Sequence, residues 1–466
     1  MHKNPIAAIA TPSGAGGVGI IRISGSSLRD LAAQLLGKAP RLRFAHYFVL
    51  RDSDNNQIDQ TLLIYFQSPA SFTGEDVIEI HCHGGPRITQ AVLKRVLEIG
   101  RAYGMVAAGP GDFSLRAYLN GKIDLVQAEA IADLINAQSD AALKGATLSL
   151  QGKFSSQINQ LVEQITQLRV LVESTLDFPE EEIEFIEAAN AKERLEEIIE
   201  ILDVLLDTSR QGKILRDGIR IVVAGPPNAG KSSLLNQLLG EERAIVTPLA
   251  GTTRDRIIEN ISIDGVPIHL VDTAGLRTSD DIVENIGISQ TWDEIARADV
   301  ILFMHDVTQK KTEAFNDLEK EIAGRSRKDA YLLVVMNKAD LLSREQQEHL
   351  KKTSESDTIF ISAKTGEGIN ELKKAILGFV GLQGANLGGV FTARARHLLA
   401  IEKAREHLIR GQFHGFSGNR SLELFAEELR YAQNNLGEIT GKLLPDDLLG
   451  RIFSEFCIGT VSYTHL

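Results

Sequence analysis

The chain has 466 residues, 43% of them apolar and 24% charged, as expected of a soluble globular protein of about three domains. Its net charge of −12 excludes indiscriminate adhesion to nucleic acid, so any RNA must be met by a local basic patch or through a partner. Two distant cysteines, Cys82 and Cys457, make neither a disulfide framework nor a four-cysteine zinc site. No apolar run approaches a membrane span, and "MHKNPIAAIATPSGAGG" is a poor leader, so the expected compartment is the cytoplasm with no membrane partner.

Strand-like runs with glycine-rich turns open the chain, most clearly "GVGIIRISG" and "DVIEIHCHGG". With the helical stretch "GGPRITQAVLKRVLEIG" they predict an α+β domain over residues 1–122. In "EIHCH", Glu79, His81 and His83 share one strand face and Cys82 takes the other. Only one face can serve a metal and no further ligand is identifiable from elsewhere in the sequence, which weighs against a metal centre.

Long helical patterns follow over 123–217. Leu161, Ile165, Leu168 and Val172 recur at spacings of three and four, one apolar stripe of a helix. Pro179 and its acidic neighbours interrupt, and "AKERLEEIIEILDVLLDTSR" resumes the period. Over 218–380 the runs "IRIVVAG", "PIHLVDTAG", "DVILFMHD", "AYLLVVMNKAD" and "TIFISAKTG" each end at a polar loop, the pattern of a mostly parallel, buried sheet. After the linker "GLQGANLGG", helical patterns return to the end, 381–466. Helices therefore flank an α/β unit on both sides, which reads as a P-loop domain inserted into a split helical domain.

"GPPNAGKS" holds Gly225, Gly230, Lys231 and Ser232 in the G-x-x-x-x-G-K-S pattern, after a strand and at a helix start. Backbone N–H groups across Asn228, Ala229, Gly230, Lys231, Ser232 and Ser233 can curl around phosphates. Lys231 would reach the β and γ phosphates and act in catalysis, and Ser232 would ligate Mg²⁺. "NKAD" supplies Asn337, Lys338 and Asp340, and a carboxylate at 340 accepts two hydrogen bonds from guanine where adenine offers the wrong pattern. Ser362, Ala363 and Lys364 of "SAKTG" would back the base. "DTAG" places Asp272, Thr273, Ala274 and Gly275 at the γ-phosphate, with Asp272 and Thr253 as further Mg²⁺ ligands. The assembly resembles the GTPase superfamily, and the nucleotide is GTP. Leu276 follows where Ras-like proteins carry the water-orienting glutamine, so another group must serve. Arg254 is either an arginine finger or a surface residue.

Beyond these motifs, "IAAIATPSGAGGVGIIRISG", "SFTGEDVIEIHCHGG", "RAYLNGKIDLVQAEAIADLI", "LDFPEEEI", "AIVTPLAGTTRD" and "DDLLGRIFSEFCIG" resemble, in one order, the MnmE/TrmE family of tRNA-modification GTPases. The resemblance implies an N-terminal folate-binding-like domain, a split helical domain and an inserted G domain. It implies a homodimer that joins an FAD-bearing MnmG-type flavoprotein in a heterotetramer. Together they would install an aminomethyl-type group on C5 of the wobble uridine of tRNA, using a 5,10-methylene- or 5-formyl-tetrahydrofolate. By the same resemblance Asn228, Thr247, Leu249 and Thr252 hold K⁺ between paired G domains, which displaces Arg254 from the finger role. Thr247 also meets the nucleotide, and Glu284 orients the attacking water. Arg22, Glu79 and Lys122 match the family's folate contacts. The C-terminus departs from the pattern: Thr460 stands where the family ends in lysine, and residues 461–466 follow without a readable motif. Cys457 lies among Phe453, Phe456 and Ile458, which favours burial over a reactive thiol. The rival class is a regulatory GTP switch that binds RNA or a ribosome without modification chemistry. Arg394, Arg396 and His397 form the one candidate basic patch.

Overall fold

The computed structural model describes residues 4–176, 190–241, 258–272, 291–309, 312–353, 358–381, 389–417, 421–442, 446–454, 456 and 459. Residue contacts divide the chain into two units. One comprises residues 1–135, 149–202 and 399–466, the other 136–148 and 203–398.

In the first unit, strands β1 (Ile6–Ile9), β2 (Gly16–Gly25), β3 (His46–Arg51), β4 (Gln57–Phe66), β5 (Asp76–Gly84) and β6 (Val106–Ala107) form one sheet. Its order is β3-β4-β5-β2-β1-β6, antiparallel throughout except where β6 joins β1. Period-two alternation sorts the side chains. Ala7, Ile21, Ile23, Leu63, Ile78 and Ile80 enter a core with Leu31 of the helix Arg29–Leu36 and Val92 and Val96 of the helix Pro86–Gly100. Ile6 and Ala8, on the opposite face, enter a second core with Phe113 and Ala117 of the helix Asp112–Leu119, Ile131, Phe453 and Phe456.

That second core is fastened by polar bonds. Arg116 is buried, donates to Glu75 Oε2 at 2.8 Å and to the Asn4 carbonyl at 2.6 Å, and so ties its helix to the sheet. Asp76 serves the first core in the same way: it accepts from Leu28 N, Ser68 N and the Tyr65 hydroxyl at 2.9, 2.9 and 2.7 Å, and Leu28 and Tyr65 are both members of that core. The helix Lys153–Leu176 buries the expected stripe of Leu161, Ile165, Leu168 and Val172. It packs on the helix Leu422–Thr440, which buries Phe425, Leu429 and Leu436.

In the second unit, β7 (Ile219–Ala224), β8 (Ile258–Ile263), β9 (Val266–Asp272), β10 (Val300–Asp306), β11 (Tyr331–Asn337) and β12 (Thr358–Phe360) form a sheet of order β12-β11-β10-β7-β9-β8. Five strands are parallel, and β8 lies antiparallel on the edge. Both faces are covered, as a parallel sheet requires. Ile221, Val223, Leu302 and Val335 meet Leu234 and Leu238 of the helix Lys231–Glu241 on one face. Val222, Ala224, Ile301 and Phe303 meet Phe315 and Ile322 of the helix Glu313–Arg325 on the other. No described helix is long and apolar enough to cross a membrane.

Gly111 starts the helix Asp112–Leu119 at φ +70°, and a Cβ there would run into the Phe453 carbonyl. Gly111→Ala is expected to destabilise the first unit by about 2 kcal/mol or more, from left-handed strain plus displacement of Phe453. Urea titration followed by far-ultraviolet circular dichroism, with amide exchange across residues 112–119, measures the loss.

Candidate functional site

At the end of β7 the chain turns through Gly225 at φ +146°, Asn228 at +65° and Gly230 at +96° before the helix Lys231–Glu241 begins. A Cβ at 225 would strike the Met304 carbonyl of β10, and one at 230 the Asn337 amide. These two glycines therefore keep open the space around the loop. Lys231 Nζ folds back over it and donates to the carbonyls of Gly225 and Pro226 at 2.9 and 3.1 Å. Ser232 and Ser233 are exposed in the first helical turn, and Asn228 is exposed at the loop's tip. The N–H groups of a helix start, an ammonium and a glycine-lined turn are suited to a polyphosphate. Of the residues expected to hold Mg²⁺, Ser232 is the one whose side chain is among the described ones, and it is exposed in this turn.

Two more loops leave the same, C-terminal, edge of the parallel strands, where α/β sheets bind ligands. Asn337 ends β11 and is 2% exposed. Its Nδ2 donates to the Ala229 carbonyl at 2.8 Å, and its Oδ1 accepts from Ala363 N at 2.9 Å. This side chain thus joins the phosphate loop to the "SAKTG" loop and uses both ends of its amide inside the protein. Ser362 is buried, and its Oγ accepts from Thr365 N at 3.2 Å, shaping the turn that exposes Lys364. Asp340 is exposed in the turn Ala339–Leu341, available to a ligand. Lys338 Nζ instead meets Asp306 Oδ2 at 2.6 Å. The motif reading did not include Asp306; its signal is an acid that closes the buried strand "VILFMHD".

Thr247, Leu249, Thr252, Thr253, Thr273, Ala274, Gly275, Leu276, Glu284 and Arg254 lie outside the described residues, as do Cys457 and Thr460. Asp272 is described as the last residue of β9, and its side chain is not among the described ones.

In the other unit, Arg22 and Glu79 are cross-strand neighbours of β2 and β5. Arg22 Nε and Nη2 donate to Glu79 Oε1 at 2.9 and 2.7 Å, and Nη1 donates to the Gly459 carbonyl at 2.6 Å. His81 Nε2 lies 3.3 Å from Glu79 Oε2. Burial pushes the Glu79 carboxyl up, but the His81 bond and the Arg22 charge outweigh it and hold the group below its ordinary range. Lys122 stands apart from this pair and donates to the Pro69 carbonyl at 3.1 Å. The residues matched to folate contacts are therefore a buried ion pair and a separate lysine, beyond the helix Asp112–Leu119, that reaches the Pro69 carbonyl. The rest of "EIHCH" divides: His83 pairs with Asp59 at 2.7 Å, while burial pushes the Cys82 thiol up to about 11 and leaves it unreactive. His397 is buried and accepts from Arg394 N at 3.1 Å, and Arg394 and Arg396 are only half-exposed, so this stretch serves a helix start.

Two family models match: "GTP-binding protein TrmE N-terminus" over residues 5–122 and "MnmE helical domain" over 125–457. The chain is 55% identical over 458 residues to the tRNA modification GTPase MnmE of Polynucleobacter asymbioticus, covering 98% of this chain and 99% of that protein. It is 50% identical to the same-named protein of Bordetella avium and 49% to that of Erwinia tasmaniensis, again covering 98% of this chain and 99% of each relative. Among solved structures, Era of Aquifex aeolicus is 28% identical, covers 41% of this chain and 66% of its own, and has a TM-score of 0.29.

Asn337→Ala strands the buried Ala229 carbonyl and Ala363 N–H, a cost of about 2–4 kcal/mol that urea unfolding of the second unit reports. Because Glu79 titrates below its ordinary range when folded, its contribution is complete above about pH 4.3 and fades as pH falls through the folded value. The urea midpoints of the wild type and Glu79→Gln are therefore expected to converge as pH falls below about 4.3.

Proposed function

The chain belongs to the MnmE family of tRNA modification GTPases, and from that premise we propose how its residues divide the work. It is a GTP hydrolase that acts in tRNA modification. The observation that carries the site assignment is the Asn337 amide, which fixes the phosphate loop against the "SAKTG" loop. That joint holds a polyphosphate cradle and a base-reading loop at one separation. Asp340 accepts the two guanine donors, and Ser362, Ala363 and Lys364 back the base. Lys231 leaves the Gly225 and Pro226 carbonyls to meet the β and γ oxygens, a low-cost exchange of acceptors.

Ser232, Thr253 and Asp272 are the proposed Mg²⁺ ligands, and Asn228, Thr247, Leu249 and Thr252 the proposed K⁺ ligands. Bound there, the two cations would neutralise charge that builds on the transferring phosphoryl group. Glu284 orients the water, in the role that Leu276 cannot fill. Thr273, Ala274 and Gly275 supply the γ-phosphate contacts of that loop.

Division into 1–122, 123–217, 218–380 and 381–466 remains our reading of the domains, with family matches at 5–122 and 125–457 in its support. In the N-terminal domain, Arg22, Glu79 and Lys122 are proposed to orient a tetrahydrofolate, which supplies the one-carbon unit. The buried Arg22–Glu79 pair would act there by holding His81 and the sheet face in place. We propose a cytoplasmic homodimer joined to an FAD-dependent MnmG-type partner, with C5 of the wobble uridine as the modified atom.

GTP turnover by the full chain, measured in K⁺ and in Na⁺ over a dilution series, tests the activation scheme. Turnover in K⁺ is expected to exceed that in Na⁺ by about tenfold or more and to rise with protein concentration. Lys231→Ala is expected to lower it by about 10²-fold in either salt. Equal rates in both salts at every dilution would refute cation-assisted pairing and leave the hydrolase assignment standing.

A further inference from the structure

Asp306 is 5% exposed at the end of β10, a strand buried along its whole length. A carboxylate in that position is costly unless it is bonded and paired. Oδ1 accepts from Thr308 N and Oγ1 at 3.0 and 2.7 Å, and Oδ2 accepts from Lys338 Nζ at 2.6 Å. Gln309 Nε2 approaches Oδ2 at 3.4 Å. Burial raises the carboxyl, yet the Lys338 and Thr308 bonds overcome it, so the group is held below its ordinary range, as an anion.

What the anion holds is unusual. Lys338 has φ +68°, a left-handed backbone that side-chain-bearing residues seldom adopt. This twist carries the chain from the end of β11 into the turn Ala339–Leu341, where Ala339 N donates to the Ile361 carbonyl at 3.0 Å and Asp340 faces solvent. Asp306 and Asn337 are themselves register partners of β10 and β11, and Val307 N donates to the Asn337 carbonyl at 3.0 Å. The end of β10 therefore holds Asn337 by its carbonyl and Lys338 by its ammonium, while the Ile361 carbonyl holds Ala339 on the far side of the strained residue.

We propose that Asp306 is a positioning residue for nucleotide selectivity: by holding the Lys338 ammonium it fixes the left-handed turn that presents Asp340 to the base. The proposal rests on the reading of Asn337–Asp340 as the guanine-recognition loop. Asp306 touches no nucleotide in this scheme and acts through Lys338.

The test uses the full chain with GTP and with ITP, which lacks the exocyclic amino group and so forfeits one bond to Asp340. Steady-state hydrolysis gives KM and kcat for each, in the wild type, Asp306→Asn and Lys338→Met. Asp306→Asn is expected to raise KM for GTP about tenfold, the loss of one charge-assisted bond, with kcat within about twofold. KM for ITP should rise less, so discrimination shrinks. Lys338→Met, which breaks the pair from its more exposed end, should reproduce that pattern if Asp306→Asn does not fold. Equal rises in KM for both nucleotides, or a fall in kcat at unchanged KM, would overturn the positioning role. A wild type that accepts GTP and ITP equally would instead refute guanine reading by Asp340, and the proposal would fall with it.

Discussion

Asn337 uses both ends of one side-chain amide to bind two loops that come from different strands, the Ala229 carbonyl on one and the Ala363 N–H on the other. Neither loop has regular structure to set its position. The amide gives them a common reference, anchored on a strand with a parallel neighbour on each side, of which β10 is buried along its whole length. Gly230 must lack a side chain for the same reason, since a Cβ would occupy the place of that amide. The site is thus a consequence of sheet rigidity passed through one residue, and its dimensions are set before any ligand arrives. Preorganisation of this kind removes ordering cost from the binding step.

The phosphate loop was legible because each of its roles is local: the glycines, the lysine and the serine act within eight positions of sequence, and their spacing is the geometry. Asn337 was legible as a nucleotide-site residue, but its joining role was not, because its partners lie 108 and 26 positions away. Asp306 went unread for a similar reason: its ion pair with Lys338 spans 32 positions and depends on the β10–β11 register. The five apolar runs read as a parallel sheet are the five parallel strands. β8 escaped because Glu259, Asn260 and Ser262 interrupt its apolar pattern, as suits an edge strand. In the first domain, alternation placed Glu79 and His81 on one face, yet the pairing of Arg22 with Glu79 required the alignment of two strands 57 positions apart.

The chain's acidity is uneven in its effects. Arg22, Arg116 and Lys338 each spend their charge on a carboxylate within the fold. Pairs of this kind rarely add much net stability, because desolvation cancels most of the attraction. What they add is geometric definition: one arrangement satisfies the forked guanidinium of Arg22, and shifting β2 by a residue would leave both groups buried and unmatched.

The helical end of the chain has a consequence for how the molecule is born. Phe453 and Phe456 fill a core whose other wall is Ile6 and Ala8, and Arg22 reaches the Gly459 carbonyl across 437 positions. On a ribosome adding about 5–20 residues per second, that wall waits roughly 20–90 s for its partner. Throughout this interval the face that Ile6 and Ala8 share with Phe113 and Ala117 lacks the cover of Phe453 and Phe456, and that gap is the surface that a chaperone would bind or that neighbouring nascent chains would share.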